Sequence, residues 1–355
     1  MAKMITRLTL PLSGDETFDE IIDVRAPLEF AEDHISGAIN LPVLNDQERA
    51  EVGTIYKQVS SFDARKIGAG LVSKNIAGHL ESHFADKPKG YRPLIYCWRG
   101  GQRSGSMATI LSEVGWAVSL IDGGYRAYRR QVSASIEALS PQLKTVVLNG
   151  YTGAGKTLVL KAIRELGGQV LDLEGLAQHK GSVFGGDLHA PQPAQKRFES
   201  LIYDTISGFD LSLPVYVEAE SAKIGRMNLP NPLWQQMKQS TIFEIDSPLD
   251  ARADYLTGDY EEWLNDPDRV TATIDRLTGY HANNKIAEWK GMVQSGEWRA
   301  LIADLLAEHY DKCYHVSGDG NYAVPSESIP LARHDIDSVA VCAKSVMKSG
   351  QRLHA

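Results

Sequence analysis

Leu94-Ile95-Tyr96-Cys97-Trp98-Arg99-Gly100-Gly101-Gln102-Arg103-Ser104 is the stretch on which the reading of this chain turns. Leu94 to Tyr96 is a short apolar run and reads as a buried strand. It ends on a cysteine, and Gly100-Gly101 lets the chain curl tightly behind it. Ser104 stands where a helix N-cap is expected, ahead of Met107, Ile110 and Leu111 at helical spacing. A cysteine cradled by backbone N–H groups at a helix N-terminus sits in positive potential, which lowers a thiol pKa and supplies a thiolate near neutral pH. The same N–H groups hold an oxyanion of phosphate size. The alternative is a buried structural cysteine closing a strand, a common fate of a free thiol. The glycine pair and two arginines, Arg99 and Arg103, weigh for a nucleophilic or chalcogen-carrying cysteine beside an anion pocket.

Around this loop short strands alternate with helices. Ile21 to Arg25 reads as a strand, Ala26 to Phe30 as a turn entering a helix, and His34 to Pro42 as a glycine-marked turn into a second strand. Asp23 and Arg25 are expected to pair and fix the loop rather than to act in catalysis. Val52, Ile55, Tyr56 and Val59 recur at helical spacing, so residues 45 to 86 are expected to be helical. Val118 to Ile121 is a further strand, Asp122-Gly123-Gly124-Tyr125 a sharp turn, and 126 to 140 a connecting helix that stops before Pro141.

A chain of 355 residues exceeds one ordinary core, so two domains are expected. No apolar run is long enough to cross a membrane, and the opening residues alternate instead of forming a signal-peptide core. The three cysteines, Cys97, Cys313 and Cys342, stand at wide spacing, which excludes a disulfide framework and a cysteine-rich zinc site. Cys313 and Cys342 are expected in apolar surroundings. This pattern fits a reducing cytoplasm. The net charge of −8 argues against bulk nucleic-acid binding, yet Lys89 to Arg130 holds seven basic residues against two acidic ones. A basic face on an acidic protein is a footprint for a polyanion.

The second half opens on Thr145-Val146-Val147-Leu148-Asn149, a β-branched strand, followed by Gly150-Tyr151-Thr152-Gly153-Ala154-Gly155-Lys156-Thr157 and a helix from Leu158 to Leu166. This is the phosphate-loop pattern G-x-x-x-x-G-K-[ST] between a strand and a helix. The N–H groups of Gly150, Thr152, Gly153, Ala154 and Gly155 face a diphosphate, Lys156 reaches its outer phosphate, and Thr157 ligates magnesium. Strands are expected at Val170 to Leu173, Val215 to Glu218 and Thr241 to Ile245, giving a parallel sheet with ligands at its carboxyl edge. Asp172, Glu174, Glu218 and Glu220 gather there. Glu218 ends an apolar strand and is the expected acidic partner of magnesium, against capping or solvated roles for the others. Gly175 to Gly186 is a glycine-rich loop with His179 and Lys180, polar enough to bind substrate. Residues 247 to 311 read as a helical layer in which Trp263, Trp289 and Trp298 pack. Asp335 to Met347 is a last helix, with a disordered end.

Asp23-Val24-Arg25 with Glu29-Phe30, His34 to Pro42, the Cys97 loop and Asp122-Gly123-Gly124-Tyr125 fall in the order seen in rhodanese domains, and residues 5 to 135 resemble that family. The resemblance implies a cysteine that carries sulfur or selenium as a persulfide or perselenide. From Cys97 to Arg103 the loop is Cys, five residues, Arg. That is similar to the wider loop of rhodanese-related phosphatases and favours a phosphate-bearing ligand. A rhodanese domain joined to a phosphate-loop domain, with Asp172 to Ala177, His179 to Gly185 and Glu218 to Gly225, resembles the bacterial tRNA 2-selenouridine synthases.

The resemblance implies an α/β architecture: a rhodanese-like domain (1–135), a P-loop NTPase-like parallel-sheet domain with a helical layer (136–335), and a C-terminal helix and tail (336–355). It implies a transferase of the cytoplasm, without a membrane, acting on tRNA with a wobble 2-thiouridine. Geranyl diphosphate alkylates the sulfur, and selenium from selenophosphate then replaces the geranylated sulfur. Cys97 would carry selenium, with Arg99, Gly100, Gly101 and Arg103 on selenophosphate. The phosphate loop, Thr157 and Glu218 would hold the geranyl donor with magnesium. Arg126, Arg129 and Arg130 share a helix face and would contact tRNA, unless they form salt bridges with Glu137 or carboxylates of the second half. An enzyme that supplies selenophosphate is the expected protein partner. An ATP-dependent sulfurtransferase, a rhodanese-type phosphatase and a nucleotide-sensing regulatory module are the alternatives.

Overall fold

Leu94, Ile95 and Tyr96 are buried on the central strand of a five-stranded parallel sheet. The strands are β1 (Ile5–Leu8), β2 (Glu20–Asp23), β3 (Ala38–Asn40), β4 (Pro93–Tyr96) and β5 (Val118–Ile121), in the order β1-β5-β4-β2-β3. A parallel strand with neighbours on both sides is covered on both faces, which is why it reads as an unbroken apolar run. Ile22, Ile76, Ile95, Met107, Leu111 and Leu120 meet in its core. The computed structural model describes residues 5–12, 16–181, 191–313, 322 and 324–354. Ser182 to Gly186 of the glycine-rich loop lie outside them.

The helical stretch after β3 is two helices, Asp46–Gln58 capped by Asn45 and Ser61–Glu81 capped by Ser60. The apolar spacing of the first helix does not mark a core face, since Tyr56 and Val59 are 59% and 75% exposed, whereas the second buries Val72 and Ile76 in the core. The helices meet instead where Gly68 faces Val52; a Cβ on Gly68 would sit 3.3 Å from Val52 Cγ1.

The first unit comprises 1–135 and 194–204, the second 136–193 and 205–355. Residues 194–204, expected in the second domain, group with the first for a polar reason. Asp33 is fully buried and needs donors: Ser200 Oγ supplies one at 3.0 Å. Lys196 Nζ donates to Glu32 at 2.8 Å, and Arg197 donates to the His34 carbonyl at 3.1 Å.

In the second unit β6 (Lys144–Asn149), β7 (Gln169–Leu171), β8 (Pro214–Glu218), β11 (Thr241–Asp246) and β12 (Glu327–Pro330) form a parallel sheet in the order β12-β11-β6-β8-β7. A short antiparallel pair, β9 (Lys223–Ile224) and β10 (Met227–Asn228), stands apart from it. β7 stops two residues early because Asp172 caps the helix Leu173–Ala177, its carboxylate accepting from Gly175 N at 2.8 Å. The C-terminal stretch is no tail. Ile336–His354 is one helix, and Cys342, Ala343 and Val346 sit in the same core as Val159, Leu160 and Ile163. In the helical layer Trp289 is fully buried against Val270, Ile274 and Leu301 and donates to Asp304. Among the described residues no helix is long and apolar enough to cross a membrane.

Candidate active sites

β4 delivers Cys97 into a loop closed by the helix Gln102–Val114. The helix starts at Gln102 with Gly101 as N-cap, so Ser104 is a first-turn residue and not the cap expected from the sequence. Its hydroxyl lies 3.2 Å from Cys97 Sγ and 3.4 Å from the Gly101 carbonyl. Burial pushes the Cys97 thiol up. The Ser104 hydroxyl, the N–H groups of Ser104 and Arg99 and the charge of Arg103 outweigh it and hold the thiol below its ordinary value.

The Asp122-Gly123-Gly124 turn backs this loop. Tyr125 N donates to the Cys97 carbonyl at 2.8 Å and Arg126 N to the Trp98 carbonyl at 3.1 Å. Gly124, at φ +56°, presses so closely that a Cβ there would lie 2.2 Å from the Cys97 oxygen. Two separate sequence motifs are therefore one piece of structure. Asp23 and Arg25 form the expected ion pair at 2.6 Å, both fully buried, with the guanidinium 3.8 Å from the Tyr125 ring centre.

The arginines near the loop divide. Arg103 donates to Glu29 at 2.7 Å; burial raises the Glu29 carboxyl, and Arg103 outweighs that and holds it low. Glu29 thus aims Arg103 beside the thiol. Arg99, Arg126 and Arg130 are exposed. Arg7, which the sequence did not single out, donates to the Gly100 carbonyl at 3.4 Å. Arg129 does not fit the expected tRNA contact. It donates to Ser200 Oγ at 2.9 Å, the Lys196 carbonyl at 3.0 Å and Asp33 at 3.4 Å, and it pairs with Glu199. All four partners are internal to the first unit, so Arg129 is a strut.

In the second unit β6 leads into the phosphate loop, and the helix Lys156–Glu165 follows with Gly155 as its N-cap at φ +87°. Lys156 Nζ donates to the Gly150 carbonyl at 2.8 Å. A pocket of about 400 Å³ is lined by the loop from Gly150 to Thr157 with Glu174, Lys180 and Glu220. Arg252, which sequence reasoning missed, supports the loop from behind. It is buried, donates to the Thr152 carbonyl at 3.2 Å and forms a two-point pair with Asp311 at 2.9 and 2.8 Å.

The carboxylates sort themselves by position. Glu218, the expected magnesium partner, is buried at the end of β8 and does not line the pocket. One of its oxygens accepts from Glu174 N at 2.6 Å; the other is buried without a partner among the described residues. Burial, then the charges of Asp172 and Glu174, push it up to about 8. Glu174, Glu220 and Asp259 line the pocket; Asp259 accepts from Lys180 at 2.6 Å, and Glu174 lies 3.4 Å from Thr157 Oγ1. Burial, then Glu174 and Glu218, also raise Glu220 strongly. Glu174 beside the Thr157 hydroxyl offers the one carboxylate and one hydroxyl that a hard divalent cation takes next to a diphosphate. Among the described residues no group of three or more His, Cys, Asp or Glu is disposed to hold a metal by itself. That suits magnesium, which takes one or two carboxylates and completes its shell with water and phosphate.

The phosphate-loop pocket adjoins an apolar slot. Thr152, Leu256, Tyr260 and Tyr310 line both, and Trp263, Leu264, Leu301 and Leu305 continue the slot. Cys313 is not in apolar surroundings as expected: it is exposed, on the rim of the same pocket, 3.8 Å from His309 Nδ1. Cys342 is buried, and burial pushes it up to about 11.

Residues 143–282 match the family model described as the tRNA 2-selenouridine synthase AAA domain, and residues 8–131 match that of the rhodanese-like domain. The chain is similar to a tRNA 2-selenouridine synthase of Nitrosomonas europaea, 40% identical over 68% of this chain and 63% of that one. That match spans somewhat under two thirds of the relative. The synthase of Sulfurovum sp. strain NBC37-1 is 32% identical, and that of Marinobacter nauticus 35% identical, each over 83% of this chain and 87% of the relative. With both domain models matched and relatives 32% and 35% identical over most of their length, the chain belongs to the tRNA 2-selenouridine synthase family.

Proposed function

We propose that this protein converts 2-thiouridine at the wobble position of tRNA to 2-selenouridine, by prenylation at the phosphate loop and selenium insertion at the Cys97 loop. The observation that carries the first step is the apolar slot beside the phosphate loop. A nucleotide needs polar partners for its base, whereas this slot is walled by leucine and aromatic side chains, which suits a prenyl chain such as geranyl. The uridine sulfur attacks C1 of geranyl diphosphate; a C–S bond forms, the C–O bond breaks, and diphosphate leaves with the electron pair. The loop N–H groups and Lys156 stabilise that charge. Thr157 and Glu174 would hold magnesium, with Glu218 fixing Glu174 from behind. When bound, magnesium neutralises charge on the leaving diphosphate.

In the second step Cys97 handles selenophosphate. Its selenium is already fully reduced, so a perselenide on Cys97 would require an oxidant to form and a reductant to discharge. Attack of the Cys97 thiolate on phosphorus needs neither. An S–P bond forms, the P–Se bond breaks, and selenide leaves with the electron pair. Selenide then attacks C2 of the geranylated base and expels geranyl thiolate; water cleaves the S–P bond. Arg103, aimed by Glu29, and exposed Arg99 bind the phosphate oxygens, and Ser104 steadies the thiolate. An enzyme that makes selenophosphate is the matching donor.

Mass spectrometry of wobble nucleosides in tRNA from cells with and without the gene tests the activity. Purified protein given geranyl diphosphate, selenophosphate and 2-thiouridine tRNA should yield 2-selenouridine through a geranylated intermediate. Doubly labelled selenophosphate without tRNA should leave phosphorus, not selenium, on Cys97. A Cys97 that retained selenium would overturn attack at phosphorus but not the activity.

A further inference from the structure

A cavity in the first unit adjoins the Cys97 site through Arg103 and extends away from it. It measures about 1030 Å³ and is walled by the two helices Asp46–Gln58 and Ser61–Glu81 and by the first turns of Gln102–Val114. Arg49, Lys57, Arg65 and Arg103 line it, and among the described residues no Asp or Glu does. On a chain of net charge −8 such a lining is selective for anions. Its volume lies at the top of the range for small-molecule sites, roughly 300–1,000 Å³, so a single phosphate-sized ion would leave it mostly unfilled. Tyr56 stands among the cations on its wall, 59% exposed, a flat face with nothing packed over most of it. Cations along a groove with an exposed aromatic ring are what binds single-stranded nucleic acid, the cations tracking phosphates and the ring stacking on a base. Arg103 belongs both to this lining and to the charges that act on the Cys97 thiol, so the groove leads to the chemistry.

We infer that this groove seats the single-stranded anticodon loop of the tRNA, with Arg49, Lys57 and Arg65 on phosphates and Tyr56 stacked on a base next to the one being modified. The inference rests on the tRNA reading above. Arg49 and Arg65 are exposed residues outside the catalytic loops; Arg65 donates only to the Ser61 carbonyl of its own helix, and Arg49 makes a long 3.8 Å pair with Glu29.

The test is Arg49→Glu with Arg65→Glu in the full-length protein, titrated with a 2-thiouridine anticodon stem-loop at several salt concentrations. Affinity should fall, and the slope of log affinity against log salt should drop by about one unit per lost contact. Arg49→Lys with Arg65→Lys should keep the slope. Tyr56→Ala should weaken binding with no change in slope, because stacking releases no counterions. Melting temperature and the rate of Cys97 alkylation should match the wild type throughout. A folded double variant with wild-type affinity and slope overturns the groove as the RNA site. If it keeps RNA affinity but loses selenation only when selenophosphate comes from its synthesising enzyme, the groove seats that acidic donor instead and the inference is wrong. Failure of the wild type to bind the stem-loop would strike at the tRNA reading itself.

Discussion

Arg129→Ala separates a strut from an RNA contact. Arg129 reaches Asp33, Glu199, Ser200 and the Lys196 carbonyl, and its side chain is 15% exposed. Asp33 is fully buried; one oxygen accepts from Tyr125 Oη at 2.8 Å and Ser200 at 3.0 Å, and the other has no partner among the described residues. Removing one partner of a buried ion pair costs about 3–5 kcal/mol. Glu199 retains 28% exposure and can rehydrate, so the lower end, about 3 kcal/mol, applies. For a unit of this size that is a fall in melting temperature of roughly 6–12 °C. The deficit depends on pH. Burial raises the Asp33 carboxyl above its ordinary value, although Tyr125, Ser200 and Arg129 pull it down. The folded state therefore binds the proton more tightly than the unfolded state, and this group's stability is lost as pH rises through its folded pKa. Without Arg129 that pKa rises further, so the deficit should be larger near pH 8 than near pH 5. Thermal melts at both values, with a tRNA salt titration on the same sample, read the two roles apart. Unchanged melting with a salt slope lowered by about one unit would refute the strut.

Arg126→Ala with Arg130→Ala removes two exposed cations and should leave stability within about 0.5 kcal/mol of wild type by thermal melting. Ser104→Ala should raise the Cys97 pKa, shifting the pH profile of iodoacetamide alkylation upward, while Cys342 stays unreactive until unfolding. Lys156→Ala should lose prenylation, measured by mass spectrometry of the tRNA, yet selenate tRNA supplied already geranylated; failure of that rescue would show that the sites are not separable. Glu218→Gln addresses a carboxyl raised from about 4.5 to about 8. The native form holds its proton across that window, so wild-type stability falls as pH rises through it. The glutamine variant should flatten that fall in melts run without divalent cation.

Four strands of each sheet were legible as short apolar runs, because parallel strands are buried on both faces; the edge strands β1 and β12 were not, since most of their residues stay exposed or half-buried. The phosphate loop was legible because its backbone chemistry demands glycines at fixed spacing. Ser104 was misplaced because serine at a helix start normally caps it; here Gly101 takes that position, and the Ser104 hydroxyl reaches both Cys97 Sγ and the Gly101 carbonyl. The helices after Asn45 were legible from their periodicity, which reports amphipathicity but cannot tell a packed face from the wall of a groove. Arg252 was invisible because its value lies in Asp311 and the Thr152 carbonyl, 59 and 100 residues away.

The arginines make the general point. Arg99, Arg103, Arg126, Arg129 and Arg130 read alike in sequence, as a basic cluster near one loop. Folding divides them by where carboxylates come to lie. Glu29 takes Arg103, and Asp33 with Glu199 takes Arg129. Arg129, held by the fully buried Asp33 and by Glu199, would have to break those pairs to meet a phosphate. An exposed cation with no carboxylate on its surface meets a phosphate at no such cost and gains entropy from the counterions released. By that criterion Arg129 leaves the set of RNA contacts, while Lys57 and Arg65, which no motif marked, enter it. On the proposed groove, the place for tRNA is set less by where basic residues cluster in the sequence than by a wall that acidic residues leave free.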